Sequence, residues 1–234
     1  MRSLRSVVLT GAGAGILLAA SPVGAAPAYV VHGIPGTDLG VEPGLPVDIS
    51  VNGACALEGV EFGDVLGPID LPAGPKEIAI YLADGADPCD GPLAVTGRVD
   101  ISIAETAILV AHLDQNGAPT VTGFTTDAGP TDPHDGRVAV IHTAKAPAVD
   151  LGISRTGRDH PVATIEDLKP GQASFGADLR AQMYDVSVSI AGEEESLAVI
   201  PFTVDPEVAY AVFAVGSLTN GTFGVIPVVI ETGS

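Results

Sequence analysis

Several short runs alternate apolar with polar residues. Val47, Ile49 and Val51 are separated by Asp48 and Ser50, and Val186, Val188 and Ile190 by Ser187 and Ser189. Successive side chains of a strand point to opposite faces, so each run predicts a strand with its apolar side on a core and its polar side in water. Ile78, Ile80 and Leu82 repeat the pattern, and Asn52-Gly53 supplies the favoured two-residue hairpin turn after the first run. Gly192 and the acidic run 193–195 make a solvated turn after Ile190. The runs 107–113 and 209–215 are instead almost continuously apolar, which predicts central strands covered on both faces. Long helices are not predicted anywhere.

Similar segments recur in the same order at an offset of roughly 102 to 110 residues, too long for a solenoid repeat and typical of a whole sandwich domain. Tyr29-Val30-Val31-His32 answers to Ala139-Val140-Ile141-His142, and Pro46-Val47-Asp48-Ile49 to Ala148-Val149-Asp150-Leu151. Further on, Ile69-Asp70-Leu71 answers to Ala177-Asp178-Leu179, and Leu93-Ala94-Val95 to Leu197-Ala198-Val199. Two domains of one type follow, over 27–126 and 137–234, with the Pro-, Gly- and Asp-rich stretch 127–136 as a short semi-rigid linker.

Composition sharpens this picture. Hydrophobic residues make up 46% of the chain, but there is no Trp, and 29 Gly and 19 Pro punctuate the apolar runs, as in all-β domains. Ten basic residues stand against 29 acidic ones, a formal charge of -19, and the three lysines are isolated from one another. Nucleic-acid binding needs clustered Lys and Arg to displace counterions, so nucleic acid is excluded as a partner class. An anionic membrane surface is disfavoured for the same reason.

The first 26 residues read as a secretory signal peptide. Arg2 and Arg5 precede an apolar stretch at 7–20, and small residues follow in Val23-Gly24-Ala25-Ala26, with cleavage expected after Ala25 or Ala26. No second long apolar segment follows, so the mature chain is expected to have no membrane span and to be secreted or held in the cell envelope. Cys55 and Cys89 are the only cysteines, and on the oxidising side of a membrane they are expected to form a disulfide.

One combination of segments is distinctive: a strand ending in Val-His or Ile-His, a Pro-rich turn into Val-Asp, then Leu-Pro-Ala-Gly before an alternating strand. His32, Val47, Asp48 and Leu71-Pro72-Ala73-Gly74 carry it in the first copy, and His142, Pro147, Val149 and Asp150 in the second. This resembles the DUF4397 family of bacterial exported domains. The second copy departs from the pattern at Leu179-Arg180-Ala181-Gln182. The resemblance implies β-sandwiches in an extracellular or envelope setting and brings no catalytic residues with it. The expected fold is therefore all-β, two tandem antiparallel β-sandwiches of immunoglobulin-like kind.

The sequence displays no nucleophile elbow, zinc-binding helix motif or phosphate loop, and calls for no cofactor or metal. Asp84-Gly85-Ala86-Asp87 and Asp114-Gln115-Asn116-Gly117 hold only part of a calcium loop and read as turns. His32 and His142, with Asp48 and Asp150, remain the candidates for either a small ligand site or the bracing of a turn. The expected function is an exported, non-catalytic binding or structural module whose partner is a cell-wall polymer or a surface protein. The alternative is a metal-dependent or hydrolase-like enzyme built from His32, His112 or His142 with acidic neighbours, which requires those histidines to converge.

Overall fold

A computed structural model describes residues 24–103 and 105–232. The expected signal peptide lies outside the described residues except for its last three, of which Ala25 and Ala26 open the first strand. Sixteen strands form among the described residues, eight in each half. The first half contains β1 (Ala25–His32), β2 (Val47–Val51), β3 (Ala54–Val60), β4 (Val65–Pro72), β5 (Gly74–Leu82), β6 (Leu93–Ile101), β7 (Thr106–Leu113) and β8 (Pro119–Thr126). The second contains β9 (Asp135–His142), β10 (Val149–Arg155), β11 (Pro161–Leu168), β12 (Ala177–Arg180), β13 (Gln182–Ile190), β14 (Ser196–Val204), β15 (Val208–Val215) and β16 (Gly224–Glu231). No helix among the described residues is long and apolar enough to cross a membrane.

The strands order as β4-β1-β7-β8 and β3-β2-β5-β6 in the first half, and as β12-β9-β15-β16 and β11-β10-β13-β14 in the second. Strand for strand, the two orders are the same. Among the described residues the named strands pair antiparallel except β1 with β7 and β9 with β15, which are parallel. The all-β, predominantly antiparallel architecture expected from the sequence is present, and the one parallel pair in each half is a detail that alternation does not disclose, since it reveals which face a residue takes but not the direction of its neighbour.

The repeat extends to individual residues. Asp70 stands opposite Pro27 as Asp178 stands opposite Arg137, and His32 opposite Ala111 as His142 opposite Ala214. The match of Leu93-Ala94-Val95 to Leu197-Ala198-Val199 is off by one. Val95 pairs with Ile80 and Ala198 with Val188, while Ile80 and Val188 both pair with the equivalent residues Ile49 and Leu151 of β2 and β10. Val95 thus corresponds to Ala198. A register irregularity follows Ile80 and Val188 in both copies, and a one-residue slip there exchanges the faces of the strand.

The four sheets stack as layers. Ala107, Leu109, Ala111 and Leu113 of β7 pack with Val47, Ile49, Ile78 and Ile80 in the core of the first sandwich. The opposite face of the same sheet, with Tyr29, Val31, Ile108 and Val110, packs on Ile141, Ala211, Phe213 and Val228 of the second half. Phe124 meets Phe213 edge to face across this junction, with ring centroids 5.9 Å apart. The order is outer sheet, inner sheet, inner sheet, outer sheet. The two-sided burial read for 107–113 and 209–215 therefore has a specific origin: one face is covered by the strand's own partner sheet and the other by the neighbouring sandwich. Arg137 ties down the connection between the sandwiches through Asp127 at 2.6 Å and pairs with Asp178 at 2.8 Å.

Candidate functional site

The hairpin between β2 and β3 forms at Asn52-Gly53, where both residues have positive φ, 51° and 80°, as a type I′ turn requires. It brings Cys55 opposite Ser50, and Cys55 is bonded to Cys89 in the 83–92 connection. That connection folds over the outer face of β2. Asp48 and Ser50, expected to face water, are consequently buried at 5% and 3% exposure. The Asp48 carboxylate accepts hydrogen bonds from the backbone N–H of Gly59 and of Cys89, both at 2.9 Å. Closing a loop of 34 residues restricts the unfolded chain by about 4 kcal/mol in the chain-entropy model.

Asp150 stands at the equivalent place. Its carboxylate accepts from the N–H of Asp167 at 2.7 Å and of Gly192 at 3.0 Å. Those two donors hold its pKa below the usual carboxylate value. The connection between β13 and β14 is a tight turn, so Gly192 reaches the carboxylate directly and no disulfide is present to hold it.

The paired histidines are buried at the ends of β1 and β9, each inside its own sandwich. His32 donates through Nε2 to the Leu45 carbonyl at 2.9 Å, and its Nδ1 accepts from the Ile34 N–H at 3.3 Å. His142 donates through Nε2 to the Pro147 carbonyl at 2.9 Å. Its Nδ1 is buried without a hydrogen-bond partner. Burial lowers the pKa of both rings, so they are neutral with the proton on Nε2. Neither histidine bonds to the aspartate of its copy: Asp48 and Asp150 brace turns at the far side of β2 and β10.

His112 lies on the interface side of β7, beside the backbone of Thr143 from the second sandwich. Its Nδ1 donates to the Leu113 carbonyl at 3.0 Å, and its Nε2 accepts from the Thr122 hydroxyl at 2.9 Å. His32, His112 and His142 thus occupy three successive gaps in the stack, each divided from the next by a sheet. Among the described residues no group of three or more His, Cys, Asp or Glu is placed to hold a metal ion. The Asp114 turn closes on itself, with its Oδ1 accepting from the N–H of Asn116 and Ala118 at 2.8 Å.

Two features escaped the sequence reading. Lys76 is buried and directs its Nζ to the carbonyls of Ala73 and Gly74 at 3.3 and 3.2 Å, satisfying the Leu-Pro-Ala-Gly turn. Tyr184 holds the equivalent position and donates its hydroxyl to the Arg180 carbonyl at 2.9 Å, so the divergent second turn is braced by different chemistry. The other feature is a cavity of about 200 Å³ between the sheets of the second sandwich, lined by apolar side chains and His142. Its origin lies in two exchanges between the copies. Gly97 and Gly123 let β6 and β8 close the edge of the first sandwich, with Gly97 against Val121 and a Gly123 Cβ only 3.1 Å from Val99. Register places Ile200 and Pro227 at those positions in the second copy, and their bulk keeps the edge apart.

These features define a duplicated β-sandwich protein in which the repeated polar residues hold the backbone in place. The chain belongs to the DUF4397 family, described as Domain of unknown function (DUF4397), which matches residues 26–152, more than half of its length and from β1 into β10. No curated protein matches its sequence. Among solved structures, the Bacillus anthracis TIE protein is 14% identical at a TM-score of 0.23, over 78% of this chain and 32% of its own. This chain therefore spans about a third of that protein. A candidate cell adhesion protein of Bacteroides uniformis is 11% identical at a TM-score of 0.26, over 89% of this chain and 99% of its own. One of Bacteroides ovatus is 9% identical at 0.24, over 90% and 99%.

Proposed function

We propose that the protein is an exported, non-catalytic binding or structural module of the cell envelope or extracellular space, with a cell-wall polymer or surface protein as its partner. The observation that carries this reading is how the repeated residues are used: Asp48, Asp150, His32 and His142 each bond to backbone groups of their own sandwich. A catalytic set built from His32, His112 and His142 needs one shared cleft, whereas these side chains sit in three separate layers. The disulfide supports export, since such bonds persist in oxidising compartments. The charge of -19 supports a bridging cation at any contact with an anionic polymer.

Sedimentation of the purified chain with cell-wall material, with and without calcium, tests this. Saturable co-sedimentation is the expected result, stronger with calcium. Absence of binding in both conditions removes the polymer as partner.

A further inference from the structure

We propose that the second sandwich holds an alkyl chain of about eight carbons, the tail of an amphiphile with an uncharged headgroup, inserted between its sheets through the edge that β14 and β16 leave open. The site is internal to one copy, so it stands or falls separately from attachment to a wall polymer or surface protein.

The open edge differs from the closed edge of the first copy at a run of neighbouring positions. Register matches Gly97, Arg98 and Asp100 of β6 to Ile200, Pro201 and Thr203 of β14, and Gly123 and Thr125 of β8 to Pro227 and Val229 of β16. Each exchange removes either a close approach of the strands or a polar group. Residues 196–204 and 216–230 consequently contain no charged side chain, in a chain whose formal charge is -19. Val199 and Val229 on these strands are 61% and 54% exposed. Half-buried Ile200, Phe202, Phe223 and Val225 stand where the cavity meets the surface, so the way in is apolar. An anionic headgroup finds no cation there to pair with and is repelled by the rest of the molecule.

The shape of the cavity suits a chain. Its walls run from Val138 to His142 on β9 and from Val149 to Ile153 on β10, four residue steps or about 13 Å along the strands. Spread over that length, a volume of about 200 Å³ forms a slot one chain wide and not a chamber for a ring. An apolar cavity of about 150 Å³ stays dry and takes up the six carbons of benzene, so one of about 200 Å³ accommodates about eight. The His142 ring is fully buried and every other lining side chain is apolar, which leaves burial of methylenes as the source of affinity, a factor of about four for each. Protein interiors are close-packed, and a chain in the slot restores the packing that the empty walls forfeit.

Methyl-resolved NMR titration of the full chain with octyl glucoside below its micelle concentration tests the site. Saturable shifts are expected at Ile200, Val188 and Val225, and none at Ile78 or Ile80 of the first sandwich. Octyl glucoside is expected to bind about tenfold tighter than hexyl glucoside, the transfer worth of two methylenes. Phenyl glucoside, with the same headgroup on a ring, and octanoate, with the same length of chain on a carboxylate, are each expected to bind at least about tenfold more weakly than octyl glucoside. Val186→Phe is expected to fill the slot and abolish the shifts. No saturable shift with octyl glucoside in the wild-type chain overturns the site. Equal affinity for phenyl glucoside overturns the selection of a chain, and equal affinity for octanoate overturns the uncharged headgroup; neither comparison needs a variant to fold.

Discussion

Gly97 on β6 lies so close to Val121 on β8 that a β-carbon on the glycine would overlap the valine side chain. The first sandwich is sealed along this line. Gly97→Ile, which installs the residue found at the equivalent place in the second copy, is expected to lower stability by about 2 kcal/mol through overpacking. Urea unfolding of the variant measures this; an unchanged midpoint would mean the edge is free to open.

Asp48 joins three segments that are distant in sequence. Asp48→Ala leaves the N–H groups of Gly59 and Cys89 without their acceptor, at an expected cost of about 3 to 5 kcal/mol for two charge-assisted bonds. Asp150→Ala removes the matching pair from a more exposed site and is expected to cost less. Hydrogen exchange at the Cys89 and Gly59 amides should accelerate in the first variant alone, and equal exchange in both variants contradicts the assignment.

Three buried histidines make stability depend on pH in a definite direction. Burial lowers the pKa of His32, His112 and His142, so as pH falls through the ordinary value of about 6.5 the unfolded chain takes up protons the folded chain refuses. Stability is fully present above that value and declines below it. The carboxylates of Asp114 and Asp150, lowered by backbone donors, add a separate loss only below about pH 4. Urea midpoints are expected to be level above pH 7.5 and to fall between pH 6.5 and 5. A constant midpoint over that interval refutes the buried neutral rings.

Phe213 is fully buried at the junction of the two inner sheets. Phe213→Ala is expected to destabilise the chain by about 3 to 5 kcal/mol and to uncouple the sandwiches. Calorimetry should record one transition for the wild type and two for the variant; two transitions in both would mean the interface does not couple the folding of the halves.

Much of the architecture was readable from the chain. Val47, Ile49 and Val51 disclosed a strand face, Asn52-Gly53 its turn, and the pairing of His32 with His142 a duplication that the strand orders reproduce. The sequence could show that 107–113 is covered twice but not by what, since apolar surface is indifferent to which sheet lies on it. Asp48 misled because alternation reports the side a residue takes, while a disulfide-held connection decided whether that side met water. The shift at Val95 arose from an irregularity in backbone pairing that no side chain announces. Lys76 and Tyr184 concealed a shared task behind unlike chemistry. The cavity was latent in the exchange of Gly97 and Gly123 for Ile200 and Pro227, which becomes visible only once register is known.

The layered order also fixes how the molecule can meet its surroundings. Because the inner sheets are joined, the like outer faces built on β5 and β13 look in opposite directions, across a slab about 30 Å thick at the usual spacing of stacked sheets. A flat target touches one of them and is out of sight of the other. Duplication here does not double the grip on a single surface; it sets two like faces back to back, the arrangement of a rivet passing between two plates.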